Sequence, residues 1–442
     1  MGLYQIKELY QRKDKLKIIE GVESAKAALS RRGPAQWTLE GDNREEEVRQ
    51  IINEVRSRGD AALFEYTARF DGIKLTSLEV SKEQIKSAYR EVASELLSAL
   101  RLAAGRINAY HLKQKDILLN ESVREGVGWM VRPLQRVGVH VPGFTVPLPS
   151  SLLMTVIPAR VAGVGEVILA TPPTSGGSVS PVTLVAADIA GVDRIFSVGG
   201  AQAIAALAFG TETIPAVDKV CGPGNIYVTL AKKLLYGTVG IDGLFGPSEV
   251  LIIADETADP EYCAADILAQ AEHGPLSSAV LITTSRSLAD KVSQEVERQL
   301  KNLTHQDIAS ESLKQQGMIG VVADMDEAIE LANIYAPEHL LLMVADAASY
   351  LDRISNAGCV VLGEKATVVL GDYIAGPSHV LPTGGTARFG SPLNVTDFVK
   401  LTSVVDVDDA SLKELGQAAQ TLAQAEGLDA HARAIEKRLG RG

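Results

Sequence analysis

The 442-residue chain has only three cysteines, Cys221, Cys263 and Cys359, widely spaced and with no CxxC pair. This excludes a disulfide framework and a thiolate-rich zinc site, and it is the usage of a reduced, cytoplasmic protein. No uninterrupted apolar run approaches the roughly 20 residues that a membrane-spanning helix needs. The stretch Met1 to Glu20 alternates Lys, Arg and Glu with apolar residues, without the apolar core or small-residue cleavage site of a secretory signal. Positive charge is also short. Lys and Arg number 43 against 55 Asp and Glu, a formal net charge of -12, so no basic footprint marks a nucleic-acid partner. The dinucleotide fingerprint GxGxxG is missing: Gly163-Val164-Gly165 has Ile168 where the third glycine belongs, and it precedes a strand-like run instead of following one. Histidine is scarce at seven, and with thiolates excluded any zinc must be held by His, Asp, Glu or Gln.

What is present, 46% hydrophobic and 22% charged residues, is ordinary for a soluble enzyme, and the length predicts two or more domains. Residues 1–33 are charge-rich and helical in pattern. Helical periodicity then runs over Glu45–Phe70 and from Ser81 to about Tyr110. From Val137 short apolar strands alternate with helices: Val137–Val141, Glu166–Thr171, Arg194–Val198 and Lys219–Cys221 as strands, with helices over Pro181–Ala190, Gln202–Phe209 and Asn225–Leu235. That is the pattern of a doubly wound parallel sheet. Its strands end in Thr171-Pro172-Pro173-Thr174, Gly199-Gly200-Ala201-Gln202 and Gly222-Pro223-Gly224-Asn225, where such sheets bind ligands; read alone, these loops serve equally well as tight connections. Strands over Glu249–Asp255, Val280–Thr283, Ile319–Val322 and Leu340–Val344 predict a second α/β unit, which the helices of 45–136 are expected to join. Two apolar runs over Val360–Leu370 lead to Gly371-Asp372, and the chain turns helical again over Ser411–Glu426 and Asp429–Leu439. The expected fold is α/β with two Rossmann-like domains, one inserted in the other. The expected boundaries are 1–33 for an N-terminal helical appendage, 34–136 with 247–391 for one domain, 137–246 for the other, and 392–442 for a C-terminal helical segment. That last segment is either a subunit contact or a solvated helical pair.

The chemistry clusters on few residues. Asp259-Pro260 opens a capped amphipathic helix that Gly274-Pro275 ends. Ile267, Leu268 and Ala271, with Ala264 a turn earlier, form its apolar stripe, while Asp266, Gln270 and His273 recur at i, i+4 and i+7 on another face. This is either a polar helix end or a ligand pair. Glu338-His339 lies at a helix-to-strand junction, a pairing suited to acid–base work because a carboxylate orients an imidazole and raises its pKa. Asp372 follows an apolar run, His379 comes seven residues later, and His431 starts the last helix with Glu426 just before it. His111 and His305 sit in polar surroundings without another candidate ligand nearby. Two histidines, a carboxylate and a neutral oxygen suit Zn²⁺, but spacing alone does not bring such distant residues together, and each histidine singly also fits a surface or core role.

Longer motifs settle the likeness. They include Val55-Arg-Ser-Arg-Gly-Asp-Ala-Ala-Leu-Phe-Glu-Tyr-Thr, Pro149-Ser-Ser-Leu-Leu-Met, Gly199-Gly-Ala-Gln-Ala-Ile-Ala-Ala-Leu-Ala-Phe-Gly and Gly222-Pro-Gly-Asn. Gly246-Pro-Ser-Glu-Val-Leu, Gln270-Ala-Glu-His-Gly-Pro, Ala336-Pro-Glu-His-Leu, Gly371-Asp-Tyr and Glu426-Gly-Leu-Asp-Ala-His complete them. With these motifs the chain resembles the histidinol dehydrogenase family from about Arg44 to His431. The resemblance implies a zinc-dependent, NAD-linked four-electron oxidation of L-histidinol through L-histidinaldehyde to L-histidine, in the cytoplasm and without nucleic-acid or membrane partners. It implies one Zn²⁺ per subunit on Gln270, His273, Asp372 and His431, and acid–base roles for Glu338 and His339. His339 would take the alcohol proton, and Glu338 would activate water for the second oxidation. Ser248, His379 and Glu426 match substrate contacts, and the metal ligands and His339 would touch substrate as well. His140, Gln202 and Asn225 match NAD contacts in the 137–246 domain. The resemblance also implies a homodimer in which the C-terminal segment reaches into the other subunit's site. Two departures fall on the cofactor side: His140 where the family often has tyrosine, and Pro142-Gly143-Phe144 where it commonly has Pro-Gly-Gly. The alternative is a paralogous zinc and NAD enzyme that oxidises another small polar alcohol, such as a sulfonated diol.

Overall fold

The computed structural model describes residues 16–30, 43–120, 122–124, 127–143 and 147–440; Phe144 and most of the expected N-terminal appendage lie outside them. Two parallel sheets organise the chain. A six-stranded sheet has the order Lys17–Glu20, Met318–Val321, Ser278–Thr283, Glu249–Ala254, His339–Met343 and Cys359–Leu362. A five-stranded sheet has the order Arg194–Ser197, Glu166–Thr171, Arg136–His140, Lys219–Cys221 and Gly240–Ile241.

Strands buried on both faces explain the continuous apolar runs. In Glu249–Ala254 every residue is buried. Val250, Ile252 and Ala254 pack against Ala264, Ile267, Leu268 and Ala271 of the helix Pro260–Ala271. Leu251 and Ile253 point the other way, into a core with Leu331, Ala332 and Tyr335. Truncating one such side chain to alanine removes burial and leaves a cavity, about 2–5 kcal/mol.

Several expectations are corrected. The helices Arg44–Arg58, Asp60–Phe70 and Ser94–Leu118 pack on the five-stranded sheet and not on the six-stranded one. Lys17–Glu20 belongs to no helical appendage; it pairs in parallel with Met318–Val321 as the edge strand, and Ala25 and Leu29 of the following helix cover that sheet. Ser122–Arg124, Val127–Pro133 and Val399–Val405 form a three-stranded antiparallel sheet, unforeseen because its alternating apolar residues, such as Val127, Trp129, Leu401 and Val405, are exposed and none of the residues 127–133 or 399–405 is buried. The second apolar run before Asp372 is not a strand: Asp372 lies inside the short helix Val368–Tyr373.

The topology positions the site. Because its strands are parallel, all six begin at one edge. The crossover from Ala254 to Ser278 must return to that edge, so the C-terminal end of Pro260–Ala271 arrives where Glu249, His339 and Cys359 begin. The glycine-rich loops lie at the opposite, C-terminal edge of the five-stranded sheet. Segment 378–398 joins the two bodies: Val380, Leu393, Val395 and Phe398 share a core with the helix Pro149–Ala162.

Candidate active site

Glu338 and His339 are buried where their strand starts. Ahead of them Ala336 holds φ 51°, the only left-handed backbone other than glycine among the described residues, although a proline follows it. That costs about 1–2 kcal/mol and turns Pro337 and Glu338 sharply out of the preceding helix. The Glu249 backbone then serves both side chains. Its N–H donates to Glu338 Oε2 at 2.7 Å, and its carbonyl accepts from His339 Nδ1 at 3.2 Å. This fixes the proton on Nδ1 and leaves Nε2 facing Asp372 Oδ1 at 3.3 Å. Burial pushes the Glu338 carboxyl up to about 8. Burial also works against a charged His339, but the Glu338 and Asp372 carboxylates outweigh it and raise the imidazole. Asp372 ends below the usual carboxylate range: burial raises it, and His339, His379 and His273 together overcome that.

His379 is stitched on both sides. Nδ1 donates to the Asp372 carbonyl at 2.7 Å, and Nε2 accepts from Ser151 Oγ at 3.0 Å, which ties the Asp372 segment to the other body. Gln270 is 2% exposed, and its Nε2 has no hydrogen-bond partner among the described residues. Ser248 directly precedes the strand that carries Glu249, and its carbonyl accepts from Ser278 N at 3.0 Å. Gln270, His273, Asp372, His379, Glu338, His339 and Ser248 therefore share one edge. Glu426 and His431 do not join them: both are exposed, on the far C-terminal helices. Among the described residues no three His, Cys, Asp or Glu side chains of the single chain converge to hold a metal ion. His305 is exposed at a helix N-cap, whereas His111 is fully buried, its Nδ1 bonded to Gln114 Oε1 at 2.6 Å.

On the facing edge, His140 is 2% exposed and bridges two loops. Its Nδ1 donates to the Pro223 carbonyl at 2.9 Å, and its Nε2 accepts from Gly200 N at 3.3 Å. Burial pushes its pKa down to about 4, which keeps the ring in the neutral form this pairing requires. Gly222 has φ +105°, and a Cβ there would stand 2.1 Å from the His140 carbonyl oxygen, so only glycine fits. The buried Lys232–Asp242 pair grips Gly222 as well: its N–H donates to Asp242 Oδ2 at 2.6 Å, and Lys232 Nζ donates to its carbonyl at 3.1 Å. Gln202 is buried in the first turn of its helix, and Asn225 Oδ1 caps the next one, accepting from Tyr227 N and Val228 N. Sequence reasoning missed Glu249 and Ser151 as parts of the site. Both lie inside recognised motifs, but Glu249 acts through its backbone, which no residue type reveals.

A buried acid–base pair at one sheet edge, facing two helix-opening loops at another, defines an α/β enzyme of the oxidoreductase kind. A histidinol dehydrogenase family model matches residues 36–439, and the chain belongs to that family. It is 53% identical over 435 residues to a histidinol dehydrogenase of Dehalococcoides mccartyi (strain CBDB1), covering 96% of this chain and 100% of that one. It is 49% identical over 394 residues to the Clostridium acetobutylicum enzyme, covering 89% and 91%. The crystal structure of histidinol dehydrogenase from Elizabethkingia anophelis superposes with a TM-score of 0.91 at 37% identity, covering 96% of this chain and 98% of that one. Members of this family are NAD-dependent oxidoreductases of the final steps of histidine biosynthesis. A dehydrogenase of some other small polar alcohol finds no support.

Proposed function

We propose that the chain oxidises L-histidinol to L-histidine through L-histidinaldehyde, one substrate and one water reducing two NAD⁺, in a zinc site shared between two subunits. The observation that carries this is the Glu338–His339 pair facing Asp372 beside the unpartnered Gln270 amide.

The residues suit a metal. Gln270 is buried with its Nε2 unpartnered among the described residues, so its amide is free to turn its Oε1 to a metal; the carboxyl of Asp372 lies below the usual range, and His273 acts on its charge. Two nitrogens and two oxygens, from Gln270, His273, Asp372 and His431 of the partner subunit, make a borderline donor set suited to Zn²⁺. Zinc there would supply positive charge that anchors the imidazole and amine of the substrate and so fixes its carbinol carbon. His339 Nε2, its tautomer fixed through Nδ1, takes the alcohol proton in the first oxidation. Glu338, with Oε2 anchored on the Glu249 N–H, activates water for the second. His379, Ser248 and Glu426 of the partner subunit hold the substrate's polar ends.

On the facing edge, the loops at Gly200 and Gly222 open helices whose N-termini suit the pyrophosphate of NAD. Gln202 and Asn225 contact it, and His140 holds the two loops together. We read the five-stranded body as Rossmann-like and the cofactor-binding half, which accounts for a missing GxGxxG fingerprint: two separate loops replace one.

The dimer reading rests on an uncovered apolar surface. Leu415, Leu422 and Leu428 of the C-terminal helices and Val127, Trp129, Leu401 and Val405 of the antiparallel sheet are all exposed in the single chain. No helix among the described residues is long and apolar enough to cross a membrane, and the three cysteines are free, in keeping with a cytoplasmic enzyme. The test is to incubate zinc-loaded protein with NAD⁺ and L-histidinol and count NADH. Two per histidinol support the reading; one, or none, overturns it.

A further inference from the structure

The helix face that carries Gln270 and His273 begins one turn earlier, at Asp266, for which the reaction above has no use. Asp266 is 7% exposed. Its Oδ1 accepts a hydrogen bond of 2.5 Å from the Thr367 hydroxyl. Thr367 is in turn the N-cap of Val368–Tyr373, its Oγ1 accepting from Val369 N at 3.3 Å. Asp372 lies five residues beyond Thr367 in that helix. One hydroxyl thus connects the root of the Asp372 helix to the helix of Gln270 and His273.

The root has two other ties: Val368 packs in the core behind the helix Pro260–Ala271, and Glu364 Oε1 accepts from the N–H of that helix's N-cap, Asp259, at 2.6 Å. A helix of six residues has almost no stability of its own. Of its residues only Val368 is buried; Val369, Leu370 and Tyr373 are exposed. The far end is held differently, by His379 on the Asp372 carbonyl and Arg106 Nε on the Ile374 carbonyl at 3.0 Å. Burial raises the Asp266 carboxyl above its ordinary range, and the Thr367 hydroxyl offsets this only in part.

We propose that Asp266 is a positioning residue of the metal site: through Thr367 it sets the spacing between the Gln270–His273 pair and Asp372. The ligand is a divalent cation, and the inference rests on the zinc reading above. Groups that orient a ligand typically change metal affinity by about 10–100-fold when removed. Here the lever acts on the helix that carries the ligand.

The experiment measures zinc affinity of the full-length protein by competition with a chromophoric chelator, beside the melting temperature of the metal-free form. Asp266→Ala and Thr367→Val are expected to weaken zinc about tenfold or more, with the metal-free melting temperature little changed. Asp266→Asn keeps an acceptor and Thr367→Ser keeps the donor, so both should bind zinc close to wild type. The double variant Asp266→Ala/Thr367→Val should bind no more weakly than Thr367→Val alone, because Thr367→Val already removes the bond that Asp266→Ala breaks, together with the cap on Val369 N. Wild-type affinity in both single variants, or additive losses in the double one, overturns the proposal while leaving the zinc reading intact. A wild-type protein that takes up no zinc overturns both. Should Asp266→Ala fail to fold, the Thr367→Val and Thr367→Ser pair decides alone: equal affinity in the two rejects the link.

Discussion

His339 Nε2 stands 3.3 Å from Asp372 Oδ1, so the proposed base of the first oxidation and a carboxylate of the proposed metal set face each other directly. The contact serves both. Asp372 orients the imidazole, and His339 helps keep Asp372 ionised. Asp372→Asn keeps the shape but removes the charge that both roles use. We expect zinc affinity to fall by at least about tenfold and histidinol oxidation by roughly 10²-fold or more. Chelator competition and single-turnover NADH formation measure the two separately; unchanged zinc affinity would remove Asp372 from the ligand set.

Glu338 gives the pH dependence. Burial raises its carboxyl to about 8, and in the proposed reaction the carboxylate is the form that activates water. Aldehyde oxidation should therefore climb about tenfold per pH unit below about 8 and level above it, and Glu338→Gln should lose that limb. Stability runs the other way. The folded chain keeps this proton to higher pH than the unfolded chain, where the group titrates near its ordinary 4.5. The favourable contribution is therefore complete below about 4.5 and is lost as pH rises towards 8. Glu338→Gln should thus gain melting temperature relative to wild type at pH 8 but not at pH 5. Equal differences at the two pH values would show that Glu338 is ionised throughout.

Legibility followed the physics of each element. The strand Glu249–Ala254 is buried on both faces, so its residues announce it, and the cap Asp259 and Pro260 announce the helix behind it. The Glu338-His339 pair is adjacent in sequence and was readable as chemistry. Gln270 and Asp372 were readable only as candidates, because nothing local says that a helix end and a segment 100 residues later share an edge. The short helix Val368–Tyr373 reads as an apolar strand because its cap, Thr367, earns its meaning from Asp266, far away in the chain. Lys17–Glu20 and Val127–Pro133 were missed for a related reason: an edge strand and a largely exposed ribbon bury little of what they present, and the ribbon's alternating Val127, Trp129 and Val131 lie in a short segment between helices.

His140 offers a test of the cofactor half. Its ring is neutral and bonded to both loops, so His140→Phe keeps the bulk and breaks both bonds. Two lost hydrogen bonds at about 0.5–1.5 kcal/mol each predict NAD⁺ affinity weakened by roughly tenfold, with kcat and zinc affinity little changed. Hydrogen exchange without NAD⁺ should quicken in segments 199–202 and 222–226. If exchange is unchanged while NAD⁺ affinity falls, His140 touches the cofactor and does not organise the loops.

Shared sites make an arithmetic prediction. His273 lies with Gln270 at the edge of the six-stranded sheet, while His431 is exposed on the last helix, away from it. If each site takes His273 from one subunit and His431 from the other, His273→Ala and His431→Ala are each inactive as homodimers. A mixed dimer has one site that carries both substitutions and one that carries neither. Unfolding and refolding an equal mixture makes about half of the dimers mixed, so roughly a quarter of wild-type activity should return. Mixing the folded variants without exchange of subunits should return none. If purified mixed dimers stay inactive, His273 and His431 belong to one chain's site, and the exposed position of the C-terminal helices has another cause.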